Sequence, residues 1–197
     1  MNNDIAYVIG GGPSLKGFDF SRLAGRPCYA ANKSAFDVPW GNLVSIDRDF
    51  CMNFADKISA FGSRAHIAPP ENAVKIEGVN FYKRGKFRAI FCVPDGELAG
   101  LNSGFAATAK AVTDGYKNIA LLGIDMKPNQ GHYHDGYPWN PNQTDGIIGT
   151  WVRDFEEAAI MAPKHGVRII NFSPDSAIQG FERRPLHELE TAFNERD

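Results

Sequence analysis

Several short polar clusters in this chain carry residue types that handle phosphate, hydroxyl or proton chemistry. The first is Gly10-Gly11-Gly12-Pro13-Ser14, directly after the apolar run Tyr7-Val8-Ile9. An apolar strand passing into consecutive glycines forms a tight turn whose backbone approaches a ligand closely, the usual form of a phosphate cradle. Asn32 follows a second apolar run, and Asp47 and Asp49 follow a third. Asn102-Ser103-Gly104 opens an alanine-rich stretch, and a helix start there would receive an anion. Asp125 closes the apolar run NIALLGI. Beyond it, GHYHDGYPW (131 to 139) offers His132, His134 and Asp135. These residues fit three readings: a plain surface loop, an acid or base, or a metal site. Tyr133, Tyr137 and Trp139 in the same stretch add flat area that suits stacking on a ligand or packing of the loop.

A dinucleotide fingerprint, Gly-x-Gly-x-x-Gly, is not completed by the first cluster. Counted from Gly10 and Gly12 its third glycine falls on Leu15, and Pro13 stiffens a stretch that should be entering a helix. A flavin or nicotinamide oxidoreductase is therefore disfavoured.

The elements that must position these clusters are legible as alternating patterns. Strands are expected at 6–9, 28–31, 43–46, 65–68, 88–93, 118–124 and 167–172, with helices at 49–61, 103–114 and 151–164. Ser103 is the expected N-cap of the second helix, and Gly115 and Gly166 stand where helices should stop. Strands alternating with helices predict a single α/β Rossmann-like domain over 1–197, with a central, mainly parallel sheet flanked by helices. In such sheets ligands gather at the C-terminal strand ends, where all these clusters fall. A loop or lid is expected at about 126–150, and a C-terminal helix at about 185–196, docking on the domain or making a subunit contact in a homo-oligomer.

Bulk properties set limits on function. With 197 residues, 43% hydrophobic, the chain suits one domain with a substantial core. A net charge of -2 gives no field for a polyanion, and the strip Lys83, Arg84, Lys86 and Arg88 reads as a solvated loop, so no nucleic-acid partner is expected. Cys28, Cys51 and Cys92 lack CxxC spacing and lie beside apolar residues, which suggests reduced, mostly buried thiols and a cytoplasmic protein. No signal peptide or membrane-length apolar run is present. Trp40 and Trp151 read as packing residues, His66 as a core or edge histidine, and His165 as a helix C-terminal residue. Arg183 and Arg184 are candidates for contact with an anionic ligand.

Three blocks resemble the glycosyltransferase family 42 bacterial sialyltransferases: IGGGPSLKGFDFSRL at 9–23, LNSGFAATAKAVTDGYKNIALLGIDM at 101–126, and NFSPDSAI at 171–178. Asn32 resembles that family's next nucleotide-binding asparagine. The resemblance implies a CMP-binding pocket and transfer of a sugar from a nucleotide donor to an acceptor that the sequence does not name. Gly10, Gly11, Gly12, Pro13 and Ser14 would line the nucleotide, Asn32 would hydrogen-bond it, and Asn102, Ser103 and Gly104 would meet base, ribose or phosphate. Asp125 would fix the ribose or the sugar. The family's histidine before the last long helix is replaced here by Gly149 and Thr150, so the base is sought in His132 or His134. No cofactor beyond the donor is implied, and no membrane-association extension like the family's is expected. Asp47 departs from the expected asparagine, and SIDRDF is similar instead to the 6-hydroxymethylpterin diphosphokinase-like family. That likeness implies a nucleoside triphosphate carried with magnesium between Asp47 and Asp125. A non-catalytic nucleotide-binding module is the third alternative.

Overall fold

The computed structural model describes residues 4–70, 74–85, 90–100, 102–128, 130–134, 137 and 145–194. Strands β1 (Ile5–Ile9), β2 (Cys28–Ala31), β3 (Asn42–Ser45), β4 (Ala65–Ile67), β5 (Asn80–Phe81), β6 (Lys83–Arg84), β7 (Glu97–Leu98), β8 (Asn118–Leu122), β9 (Arg168–Asn171) and β10 (Glu182–Arg183) are joined by helices α1 (Arg48–Asn53), α2 (Ala55–Ser59), α3 (Ser103–Thr113) and α4 (Asp145–Met161). Eight strands form one sheet in the order β10-β9-β8-β1-β2-β3-β4-β5, every pair parallel. This is the predicted α/β, Rossmann-like arrangement. β6 and β7 form a separate two-stranded pair.

A parallel sheet covered on both faces needs strands apolar on both sides, and β1 is buried at all five positions. Its alternation splits the core. Ala6 and Val8 face α3 and α4, where Phe105 packs edge to face on Phe155 at 5.1 Å. Tyr7 and Ile9 face the opposite core, with Phe50 and Phe172. The chain lays β2 to β5 outward from one side of β1, then returns to lay β8 to β10 outward from the other. The crevice between the ends of β1 and β8 is therefore the topological switch point, where sheets of this kind receive ligands.

Several sequence expectations change. The helix expected at 49–61 breaks at Phe54, which leaves helical angles with φ -123° and ψ 25°. In the stretch expected as a strand at 88–93, residues 90–93 are irregular and Ile90 fills the core without pairing, while 88 and 89 lie outside the described residues. The helix expected from Trp151 begins at Asp145 and takes over the end of the predicted lid. The expected C-terminal helix is a single 3-10 turn, Leu186–Glu188, followed by turns. It is held down by buried Leu189 and Ala192 and by Arg22 on Glu190 at 3.1 Å. Arg184 is spent on Glu182 and Glu188, and Arg183 on the Pro174 carbonyl, so neither joins the cleft described below. Cys28 and Cys51 are buried and Cys92 is exposed, all three as free thiols. Among the described residues no helix is long and apolar enough to cross a membrane.

Candidate functional site

The glycine turn holds the protein to itself before it holds anything else. The amide of Gly10 donates to the Leu122 carbonyl and that of Gly12 to the Gly123 carbonyl, both at 2.8 Å. The amide of Ser14 donates to Asp125 Oδ2 at 2.8 Å. Three of the turn's four donors are thus consumed, leaving the Gly11 amide, because Pro13 has none. A Cβ on Gly10 would lie 2.5 Å from the Gly123 carbonyl oxygen, and one on Gly12 would lie 2.5 Å from the Asp125 carboxylate. Glycine is required here because the ends of β1 and β8 meet without room for side chains. The cradle of amides expected from the sequence is therefore reduced to one.

Asp125 is 7% exposed and both its oxygens accept from Ser14, Oδ1 taking the hydroxyl at 2.6 Å. Ser14 Oγ also meets Ser173 Oγ at 2.9 Å. The Asp125 backbone carbonyl accepts from the Ala177 amide at 2.8 Å. Asp125 thereby clamps the turn, and it also lines the cleft, where each oxygen keeps a further lone pair. Ser14 lies under the turn, outside the cleft lining.

Over this floor opens a cleft of about 480 Å3, reached by Gly10 to Pro13, Asn32, Asp47, and Asn102 to Gly104. The sequence places these residues far apart, and the fold brings them together. Asn102, not Ser103, caps α3: its Oδ1 accepts from the Phe105 amide at 2.9 Å. Its Nδ2 is buried with no partner. Ser103 instead ties β3 to α3, its Oγ accepting from the Ile46 amide at 3.2 Å. The first-turn amides of Ser103 and Gly104 precede any intrahelical acceptor and carry the positive end of the helix dipole. Asn32 and Met126, at the ends of β2 and β8, are the non-glycine residues with positive φ among those described, at 53° and 50°. Both line the cleft. Such angles cost energy for residues with a Cβ, and they cluster where a site imposes them.

Arg48 and Lys127 carried no signal in the sequence, and Arg84, read there as part of a solvated strip, lines the cleft. Arg48, Arg84 and Lys127 come to the cleft from three separate elements, and none has an ion pair or hydrogen-bond partner among the described residues. Asp47 and Asp49 stand with them, Asp47 Oδ1 capping α1 through the Phe50 amide at 2.9 Å. Arg48 follows Asp47 in SIDRDF, yet its role depends on where α1 points it. Trp151, expected in the core, is half-buried on the cleft wall.

His132 lies on the cleft wall, with its ring against Gly11, whose added Cβ would meet His132 Cδ2 at 2.5 Å. The Tyr133 amide donates to the Gly11 carbonyl at 3.0 Å, and Tyr133 Oη donates to Asp37 Oδ2 at 2.6 Å, so this part of the loop is docked. His134 stacks on His132 at 4.9 Å and does not reach the cleft. Asp135 and Trp139 lie outside the described residues. Among the described residues no group of three metal-ligating side chains gathers.

Burial, then the neighbouring His134 and Lys33, hold His132 down at about 4. His66 is also held at about 4, by burial and then by Lys110, with Asn42 and Tyr82 on its ring nitrogens. Both rings are neutral in the fold but titrate near 6.5 when unfolded. Protons therefore favour the unfolded chain, so this stability is present above pH ~6.5 and is lost as pH falls towards ~4. Unfolding midpoints measured across that window should fall steeply for the wild type and less steeply for His66→Gln.

No protein-family model matches the chain, and no curated protein or solved structure matches it significantly.

Proposed function

We propose that the cleft binds a nucleotide-activated sugar, CMP-linked, and that the chain is a glycosyltransferase passing that sugar to an acceptor hydroxyl. One observation carries the reading. The cleft that holds the free first turn of α3 is also lined by three cations, Arg48, Arg84 and Lys127, none of which forms an ion pair among the described residues. A phosphate leaving group is the charge such an arrangement stabilises. The bond from the sugar's anomeric carbon to the phosphate oxygen breaks, its electron pair leaving on the phosphate. The acceptor oxygen bonds to that carbon and its proton passes to His132, which is neutral and faces the cleft. The sequence resemblance to sialyltransferases supports the choice of donor.

Calorimetric titration of CMP, UDP and ATP, each with and without magnesium, tests it. CMP binding that ignores magnesium and weakens in Asn102→Ala supports the reading, and absence of CMP binding overturns it. Given transfer, His132→Ala should lower the rate ~100-fold or more while leaving CMP affinity unchanged, and His134→Ala should change it by less than about 10-fold.

Magnesium-dependent diphosphoryl transfer is the second reading, favoured by Asp47 and Asp49 standing together in the cleft. Asp125 keeps one lone pair on each oxygen beside its bonds to Ser14, so a hard cation would be held by Asp47, Asp49, the nucleotide's own phosphates and, at most in part, Asp125. ATP binding that requires magnesium and disappears in Asp47→Asn would select it.

A further inference from the structure

We infer that Trp151 is the stacking platform for the ligand's nucleobase, an inference that rests on the cleft holding a nucleotide. Ile148, Trp151 and Phe155 fall on one face of α4 at i, i+3 and i+7. Phe155 is fully buried and packs edge to face on Phe105, in the first turn of α3. That contact sets Trp151, one turn earlier, at a fixed offset from the amides that would hold the phosphate. Trp151 itself is half-buried on the cleft wall and makes no ring contact or hydrogen bond with the protein among the described residues. A large aromatic that neither packs on another ring nor satisfies its N–H is available to a ligand.

The chemistry of the cleft chooses between ring types. The carboxylates Asp47 and Asp49, which serve hydroxyl-rich groups, come from the end of β3. Ile148, one turn before Trp151 on α4, and Met126, after β8, are apolar parts of the same lining, which suit a flat ring better than the hydroxyls of a pyranose. A nucleobase offers two apolar faces and asks only for area, and stacking on an aromatic is tolerant of base identity.

The test is tryptophan fluorescence during titration with CMP, UMP, AMP and GMP, with ribose 5-phosphate as the probe that lacks a base. The chain has three tryptophans, so Trp151→Phe assigns the signal. At least one nucleotide should quench the wild type. Trp151→Phe should lose the quench but keep calorimetric affinity within about threefold, because a ring remains, whereas Trp151→Leu should weaken that nucleotide ~10-fold or more. Ribose 5-phosphate affinity should be the same in all three proteins. Nucleotide affinity within about twofold of wild type in a folded Trp151→Leu overturns the inference while leaving the nucleotide cleft standing. Failure of all four nucleotides to bind overturns both. Base-dependent binding without any sugar transfer upholds Trp151 and overturns the glycosyltransferase.

Discussion

Gly10→Ala should cost the fold about 2–3 kcal/mol, the range of an overpacked interior. For a chain of this size that lowers the thermal midpoint by about 4–12 °C. The added methyl would sit 2.5 Å from the Gly123 carbonyl oxygen and 2.6 Å from Ile124 Cδ1. The carbonyl is backbone, hydrogen-bonded across the junction of β1 and β8, and cannot swing aside as a side chain would. Relief requires the two strand ends to separate at the floor of the cleft. Gly146 is the matched control: it lies in α4 with no described residue within 4 Å of an added Cβ, so Gly146→Ala should be neutral or stabilising by up to about 1 kcal/mol. Calorimetric scans of the two variants beside wild type decide the matter. Equal midpoints would mean that the strand junction is looser than this geometry allows.

Replacing Arg48 and Lys127 together by Gln should reduce affinity for CMP by about 100-fold, each charge-assisted contact contributing ~1.5 kcal/mol. The loss should be largest at low salt and shrink as ionic strength rises, since partly exposed charges are screened over ~10 Å at 0.1 M. Folding stability should not fall, because neither cation has a partner to lose among the described residues. A group that lowers binding without lowering stability belongs to the ligand and not to the fold. Titration at two salt concentrations, paired with a thermal midpoint, separates the two. Unchanged affinity at low salt would remove the observation on which the proposed function rests.

The long strands were readable because their burial is written into unbroken apolar runs: Ile5–Ile9, Cys28–Ala31 and Asn118–Leu122 appear within a residue or two of their expected bounds at most. β5, β6 and β7 are two residues each, too short for any period to show. The run at 88–93 misled because an irregular segment can bury Ile90 as well as a strand can. At the site, the glycine triplet lines the cleft where the sequence put it, and the fold adds a second reason for glycine there: the ends of β1 and β8 meet without room for side chains. Arg48, Lys127 and Trp151 were out of reach, since what marks them is their place on the cleft with no partner among the described residues, a property of space that no spacing along the chain encodes.

The clamp of Ser14 on Asp125 and Ser173 joins residues 111 and 159 positions apart. Loops of that length close late in folding, after the entropy of nearly the whole chain has been surrendered. The floor of the cleft therefore has no local version of itself. A partly folded chain that had built β1 to β5 would carry the glycine turn with its serine unanchored, and would be unable to hold a ligand in place. Amide exchange at Ser14 should accordingly run at the rate of global opening, slower than in the exposed turns around it. The floor of the cleft then closes in one step with the last strands, so the ligand proposed above would read out the completed domain.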